Sequence, residues 1–260
     1  MFFEYAHNFR PWVLCFTLLV CFFLNLFWMV PAEAGNWRVA PIRISFDATS
    51  RSEVVTINND GDQPLNLEVS AVRWMQDASG QNIYQPATDL IYFPKQLVIE
   101  PQKERVIRTG VKVPAGNQEK TYRLFIKEVP DRSQGGPNTV ALAIQFGVPV
   151  FVKPTNEEIA GAIVDPQVVD GVISARVENR GNSHFRVKNI SIIGVSAAGE
   201  QQFSKELSGW YLLNNRSRTF EVALPEETCS QINTLDIQIQ SDKIELEERI
   251  NVDPAMCTAP

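Results

Sequence analysis

The sequence predicts an all-β chain made of two immunoglobulin-like β-sandwich domains. Strand-like runs, apolar on alternate residues, recur about every ten residues with turn residues between them. No long segment carries apolar residues at the helical period. The length, 260 residues, suits about two domains that each bury a core. Composition agrees: 44% hydrophobic and 21% charged residues is the balance of a folded globular chain. A net charge of −6 argues against a nucleic-acid partner held by bulk positive charge. Two histidines, His7 and His184, leave little room for His-based catalysis or metal sites.

Residues 1–34 read as a signal peptide. From Trp12 to Val30 no residue is charged; Pro31 then breaks the run and Ala32-Glu33-Ala34 supplies the small residues of a cleavage site. An uncleaved anchor is the alternative, since the apolar run is long enough to span a bilayer. A lipid-attachment reading at Cys21 is weaker, because Val20 precedes it where a small residue is needed. Cleavage after Ala34 would export a chain with no further membrane-spanning segment. Cys15 and Cys21 leave with the leader, so Cys229 and Cys257 remain in an oxidising compartment and are expected to pair as a disulfide.

The first domain is placed at 35–154. Its strands are expected at 39–46, with Ile42, Ile44 and Phe46 on one face, and at 52–58, closed by the turn Asn58-Asn59-Asp60-Gly61-Asp62. Leu65, Leu67, Val69 and Ala71 alternate. The phase then shifts to Val72 and Trp74, which suggests a bulge. Residues 91–100 contain Pro94 and are read as one edge strand. Further strands fall at 106–111, 122–129 and 140–153. Residues 154–158 form the linker, and a second β-sandwich occupies 155–260, with strands near 172–179, 185–193, 203–207, 218–222, 234–239 and 243–252.

The strand at 140–152 is the most informative. Val140, Leu142, Ile144, Phe146, Val148, Val150 and Val152 are all apolar and alternate. Pro149 has no N–H, so an edge is expected there. A long apolar edge strand is a hazard unless it pairs with a partner's sheet. The same alternation also fits a buried strand whose even face is ordinary core, and periodicity alone favours that reading. Catalysis finds little support. Gly194-Val195-Ser196-Ala197-Ala198-Gly199 misses the nucleophile-elbow spacing. His184, after Gly181-Asn182-Ser183, reads as a turn or surface histidine. The acidic pairs Glu226-Glu227 and Glu247-Glu248 read as solvated.

Several segments in this order resemble the periplasmic chaperones of the chaperone–usher pilus pathway. They are Pro41-Ile42-Arg43-Ile44-Ser45-Phe46, Phe93-Pro94-Lys95-Gln96-Leu97-Val98-Ile99-Glu100-Pro101, Tyr122-Arg123-Leu124-Phe125-Ile126-Lys127-Glu128-Val129-Pro130, and Phe151-Val152-Lys153-Pro154. In the second domain Val177-Glu178-Asn179 and Phe185-Arg186-Val187 add to the likeness. The resemblance implies two immunoglobulin-like domains in an L or boomerang. It implies a periplasmic, non-enzymatic role without cofactor. Pilus or fibre subunits and an outer-membrane usher would be its partners. Val140, Leu142, Ile144 and Phe146 map onto residues that family members lend to a subunit's open groove. Arg43 maps onto a residue that binds the subunit's C-terminal carboxylate. The family's second anchor, a Lys, maps onto Pro149, so either Arg43 acts alone, or a neighbour substitutes, or this is a divergent branch with a different partner. Glu128 and Lys153 map onto an interdomain ion pair. The alternative reading is a non-catalytic cell-surface or periplasmic binding module that donates no strand.

Overall fold

A computed structural model describes residues 36–130 and 142–257. The leader at 1–34 and donor residue Val140 lie outside the described residues.

The first sandwich has two sheets. One runs in the order β1 (Trp37–Ala40), β3 (Ser52–Asn59), β8 (Glu104–Val111) and β6 (Leu90–Phe93). The other runs β2 (Ile44–Phe46), β10 (Gln145–Val152), β9 (Lys120–Glu128), β4 (Leu65–Gln76) and β5 (Asn82–Pro86), with β7 (Gln96–Ile99) also paired to β4. Ile44, Phe46, Val55, Ile57, Leu67, Ile107, Leu124, Ile126, Val148 and Val150 fill the core between them.

Two expected strands are each split by a proline. Residues 39–46 are not one strand: β1 pairs with β3 and β2 pairs with β10, in different sheets, with Pro41 between them. Ile42 is therefore 76% exposed while Ile44 and Phe46 are buried. Likewise 91–100 is not one edge strand; β6 pairs with β8, β7 pairs with β4, and Pro94 lies between. Proline has no N–H to continue a ladder, so it suits the crossing between sheets.

The expected bulge in β4 is absent. Its ladder with β9 runs unbroken from Leu67–Glu128 to Arg73–Tyr122. The phase changes because the burying surface changes. Leu65, Leu67 and Val69 face the first core, whereas Trp74 and Gln76 are buried on the opposite face. There Trp74 and Phe151 cluster with Tyr211 and Leu213 of the second sandwich.

The second sandwich pairs β11 (Gly161–Val169), β12 (Val172–Asn179) and β16 (Ser217–Ala223) in one sheet. The other holds β14 (Gln201–Ser208), β13 (Phe185–Val195), β17 (Thr234–Ser241) and β18 (Glu245–Asn251), with β15 (Tyr211–Leu212) on β13. β11 was not foreseen. Asp165 and Pro166 interrupt its alternation, and its register with β12 shifts between Val164 and Gln167. The hairpin closes at Asp170-Gly171, both at positive φ (51° and 72°), as a tight two-residue turn requires.

Cys229, at the end of the short helix α1 (Glu226–Cys229), is disulfide-bonded to Cys257. Both are buried in the second core. In the chain-entropy account, closing a loop of 28 residues stabilises by about 3–4 kcal/mol. Replacing both cysteines by alanine should lower the unfolding free energy by about that amount in denaturant melts. Adding reductant should then no longer shift the variant's midpoint.

Candidate functional site

The site is built around β10. Along its whole length β10 pairs antiparallel with β9, from Gln145–Lys127 to Val152–Lys120. Its other side is covered only at Val150, Phe151 and Val152, where β2 runs parallel to it. Among the described residues, nothing pairs with that outer side from Gln145 to Val148. Pro149 stands where the open edge meets the covered stretch, in agreement with the edge expected there. An open strand edge presents N–H and C=O groups that another strand can use.

The strand is shorter than its alternation implies. β9 ends at Glu128, whose N–H donates to the Ile144 carbonyl at 2.9 Å, so no ladder partner remains beyond that point. Of the three described residues expected to be lent to a partner, Leu142 precedes the strand and is 84% exposed. Ile144 and Phe146 are half-buried against the edge of the first core, Phe146 edge-on to Trp37 at 4.6 Å. Val148, Val150 and Val152 are fully enclosed in that core.

The opposite face of β10 meets the second sandwich. Phe151 is stacked on His184 with ring centroids 3.5 Å apart, and Trp74 and Tyr211 close round it. His184 is thus buried, not at the surface; Phe151 covers one ring face. Its backbone N–H donates to Glu119 Oε2 at 2.9 Å, and its Nδ1 lies 2.8 Å from the same oxygen. Gln76 adds two bonds, donating to the Tyr211 carbonyl and accepting from the Leu213 N–H, each at 2.9 Å. Asn182 donates to the carbonyls of Asn117 and Asn156, tying the linker to both sandwiches.

Glu119 and His184 do what was expected of Glu128 and Lys153. The antiparallel register puts Ile144 beside Glu128 but Val152 beside Lys120, so Glu128 and Lys153 stand at opposite ends of β9 and β10. At about 3.3 Å per residue, that separation is far beyond ion-pair reach. Lys153 is exposed, and Glu128 accepts from the Ile144 N–H at 3.3 Å.

Arg43 is exposed just ahead of β2, and its Nη1 lies 3.6 Å from Asp242 Oδ2 in the β17–β18 turn. Asp242 also accepts from the Arg186 N–H at 2.7 Å. Arg123, on β9, is only 7% exposed. Its guanidinium lies 3.9 Å over the Trp74 ring and 5.7 Å from Trp210. Burial pushes its pKa down from the ordinary arginine value. Sequence reasoning missed Arg123, Glu119, Gln76, Trp210 and Tyr211 as site residues. Among the described residues no cluster of His, Cys, Asp and Glu is placed to hold a metal ion, and no helix is long and apolar enough to cross a membrane.

The family of pili and flagellar-assembly chaperones, PapD N-terminal domain, matches residues 37–158. The match covers the first sandwich; over the rest of the chain the likeness is one of fold. The fold of this chain is that of solved chaperones. One is from the CsuC–CsuE chaperone–tip adhesion subunit pre-assembly complex of archaic chaperone-usher Csu pili of Acinetobacter baumannii. At 14% identity the likeness spans 81% of this chain and 97% of that one, with a TM-score of 0.57. A second is the class 5 fimbriae chaperone CfaA, at 14% identity, 84% and 100% coverage and a TM-score of 0.53. A third comes from the Salmonella enterica SafA pilin–SafB chaperone complex, at 13% identity, 84% and 98% coverage and a TM-score of 0.52. Sequence comparison with curated proteins finds no match.

The buried pair gives a test of the domain contact. His184→Ala would leave Glu119 only the backbone N–H of residue 184 and would remove the ring stacked on Phe151, and it should destabilise the protein by ~3 kcal/mol in denaturant melts. A surface histidine would change stability by no more than about 0.5 kcal/mol.

Proposed function

We propose that this chaperone is exported to the periplasm, captures incompletely folded pilus or fibre subunits by lending them β10 as a strand, and passes them to an outer-membrane usher. The observation that carries this reading is the open outer edge of β10 from Gln145 to Val148, with Leu142 exposed just ahead of it. A subunit strand added there would gain ladder hydrogen bonds, and its open groove would receive Val140, Leu142, Ile144 and Phe146. The solved relatives bound to a tip adhesion subunit and to a pilin support a subunit as the partner. Burying three or four such side chains at roughly 25 cal/mol per Å² contributes several kcal/mol. Arg43 would hold the subunit's terminal carboxylate through its planar fork of donors. No step of this work needs a cofactor or bond-making chemistry.

The donor residues differ in what they do for the free chaperone. Leu142 contributes little to its core, whereas Ile144 and Phe146 pack against it. Leu142→Asp alone should therefore leave the melting temperature unchanged. Leu142→Asp combined with Ile144→Asp should abolish co-purification with fimbrial subunits expressed from the same genome, a loss of at least about 100-fold in affinity. Capture that survives the double change would remove strand donation and leave a binding module of another kind.

A further inference from the structure

The row of residues that crosses the sheet at Pro149 places two cations on either side of it. Pro149 is paired with Arg123 on β9. On the other side the parallel register sets Val150 beside Ile44, so one residue back Arg43 falls beside Pro149. Laterally paired residues project from the same face of a sheet. Adjacent strands lie about 4.8 Å apart, so the Arg43 and Arg123 backbones are about 10 Å apart, with only the proline ring between them.

Among the described residues Arg123 is a buried cation without an anion. The single acceptor its guanidinium finds among the described residues is the Gly147 carbonyl, 2.8 Å from Nη1. Its Nε is buried with no partner. No Asp or Glu among the described residues pairs with it, whereas Glu119, the other deeply buried charge of this interface, has His184. A guanidinium offers five N–H donors, and leaving them unpaired away from water is costly. Its guanidinium carbon lies 3.9 Å from the Trp74 ring centroid and 5.7 Å from that of Trp210, a cation–π contact that leaves Nη2 to reach a planar acceptor beside the Nη1–Gly147 bond.

We infer that Arg123 is the second half of the carboxylate anchor, gripping together with Arg43 the terminal carboxylate of a bound chain laid over Pro149. This rests on the strand-capture reading above and names the residue that fills the place of the absent lysine. The two cations are not equivalent. Arg43 must release Asp242, a contact already loose at 3.6 Å, whereas Arg123 is desolvated and held before the ligand arrives.

The test uses two synthetic peptides of alternating valine and threonine, one ending in a free carboxylate and one amidated, titrated into the folded chaperone and read by tryptophan fluorescence. The unaltered protein should prefer the free acid by roughly 10- to 100-fold. Arg123→Met, which keeps the apolar stem over Trp74, should erase most of that preference while the amidated peptide binds as before. Arg123→Lys keeps the charge but loses the fork, so it should fall between the two and serves if the Met variant does not fold. A preference that persists in either variant at its original size overturns the assignment of Arg123. Equal binding of both peptides by the unaltered protein also overturns it, leaving strand capture standing. Binding of neither peptide overturns strand capture itself, and the anchor with it.

Discussion

Everything in this protein turns on β10 being buried on both faces at one end and open along its edge at the other. From Val148 to Val152 one face completes the first core while Phe151, on the other, is enclosed by Trp74, His184 and Tyr211. That end cannot shift register by one residue without exchanging core and interface side chains. The covering strand β2 reaches only Val150. The free stretch is therefore held in an extended, ready form by the fixed one, and strand addition there meets a smaller ordering cost than it would on a loose segment.

The contact between sandwiches is polar where a core would be apolar, and that polarity has a pattern. Glu119, Gln76 and Asn182 each reach backbone groups of the other sandwich or of the linker, so orientation is fixed by directional bonds as well as by apolar burial. On the exposed side of the same region Arg43 lies 3.6 Å from Asp242, which also accepts from the Arg186 backbone N–H.

Much of the fold was legible in the sequence, because alternation at period two survives wherever one face is buried. The strands at 52–58, 185–193 and 234–239 show this. Legibility failed where a second burying surface intervened. Trp74 looked like a bulge since its covering partners, Phe151 and Tyr211, are distant in sequence. His184 looked exposed because a Gly-Asn-Ser turn precedes it, while its partner Glu119 is 65 residues away. The assignment of Glu128 and Lys153 failed for a topological reason: sequence does not state which ends of antiparallel strands meet. Of the candidate site, Arg43 and the expected donor residues were named from position and resemblance, whereas the place of Arg123 beside Pro149 becomes visible only once the register is known.

The central claim is that the outer edge of β10 is a vacant pairing position filled by a subunit strand. Amide hydrogen exchange, resolved by residue and measured on the free protein and on the complex it is proposed to form with a fimbrial subunit, tests it most directly. In the free protein Val150 to Val152 should be protected, while those amides between Ala143 and Val148 that point away from β9 exchange fast. In the complex those fast amides should become as slow as the core. If they stay fast in a stable complex, the subunit is held somewhere other than the edge of β10, and the account is wrong.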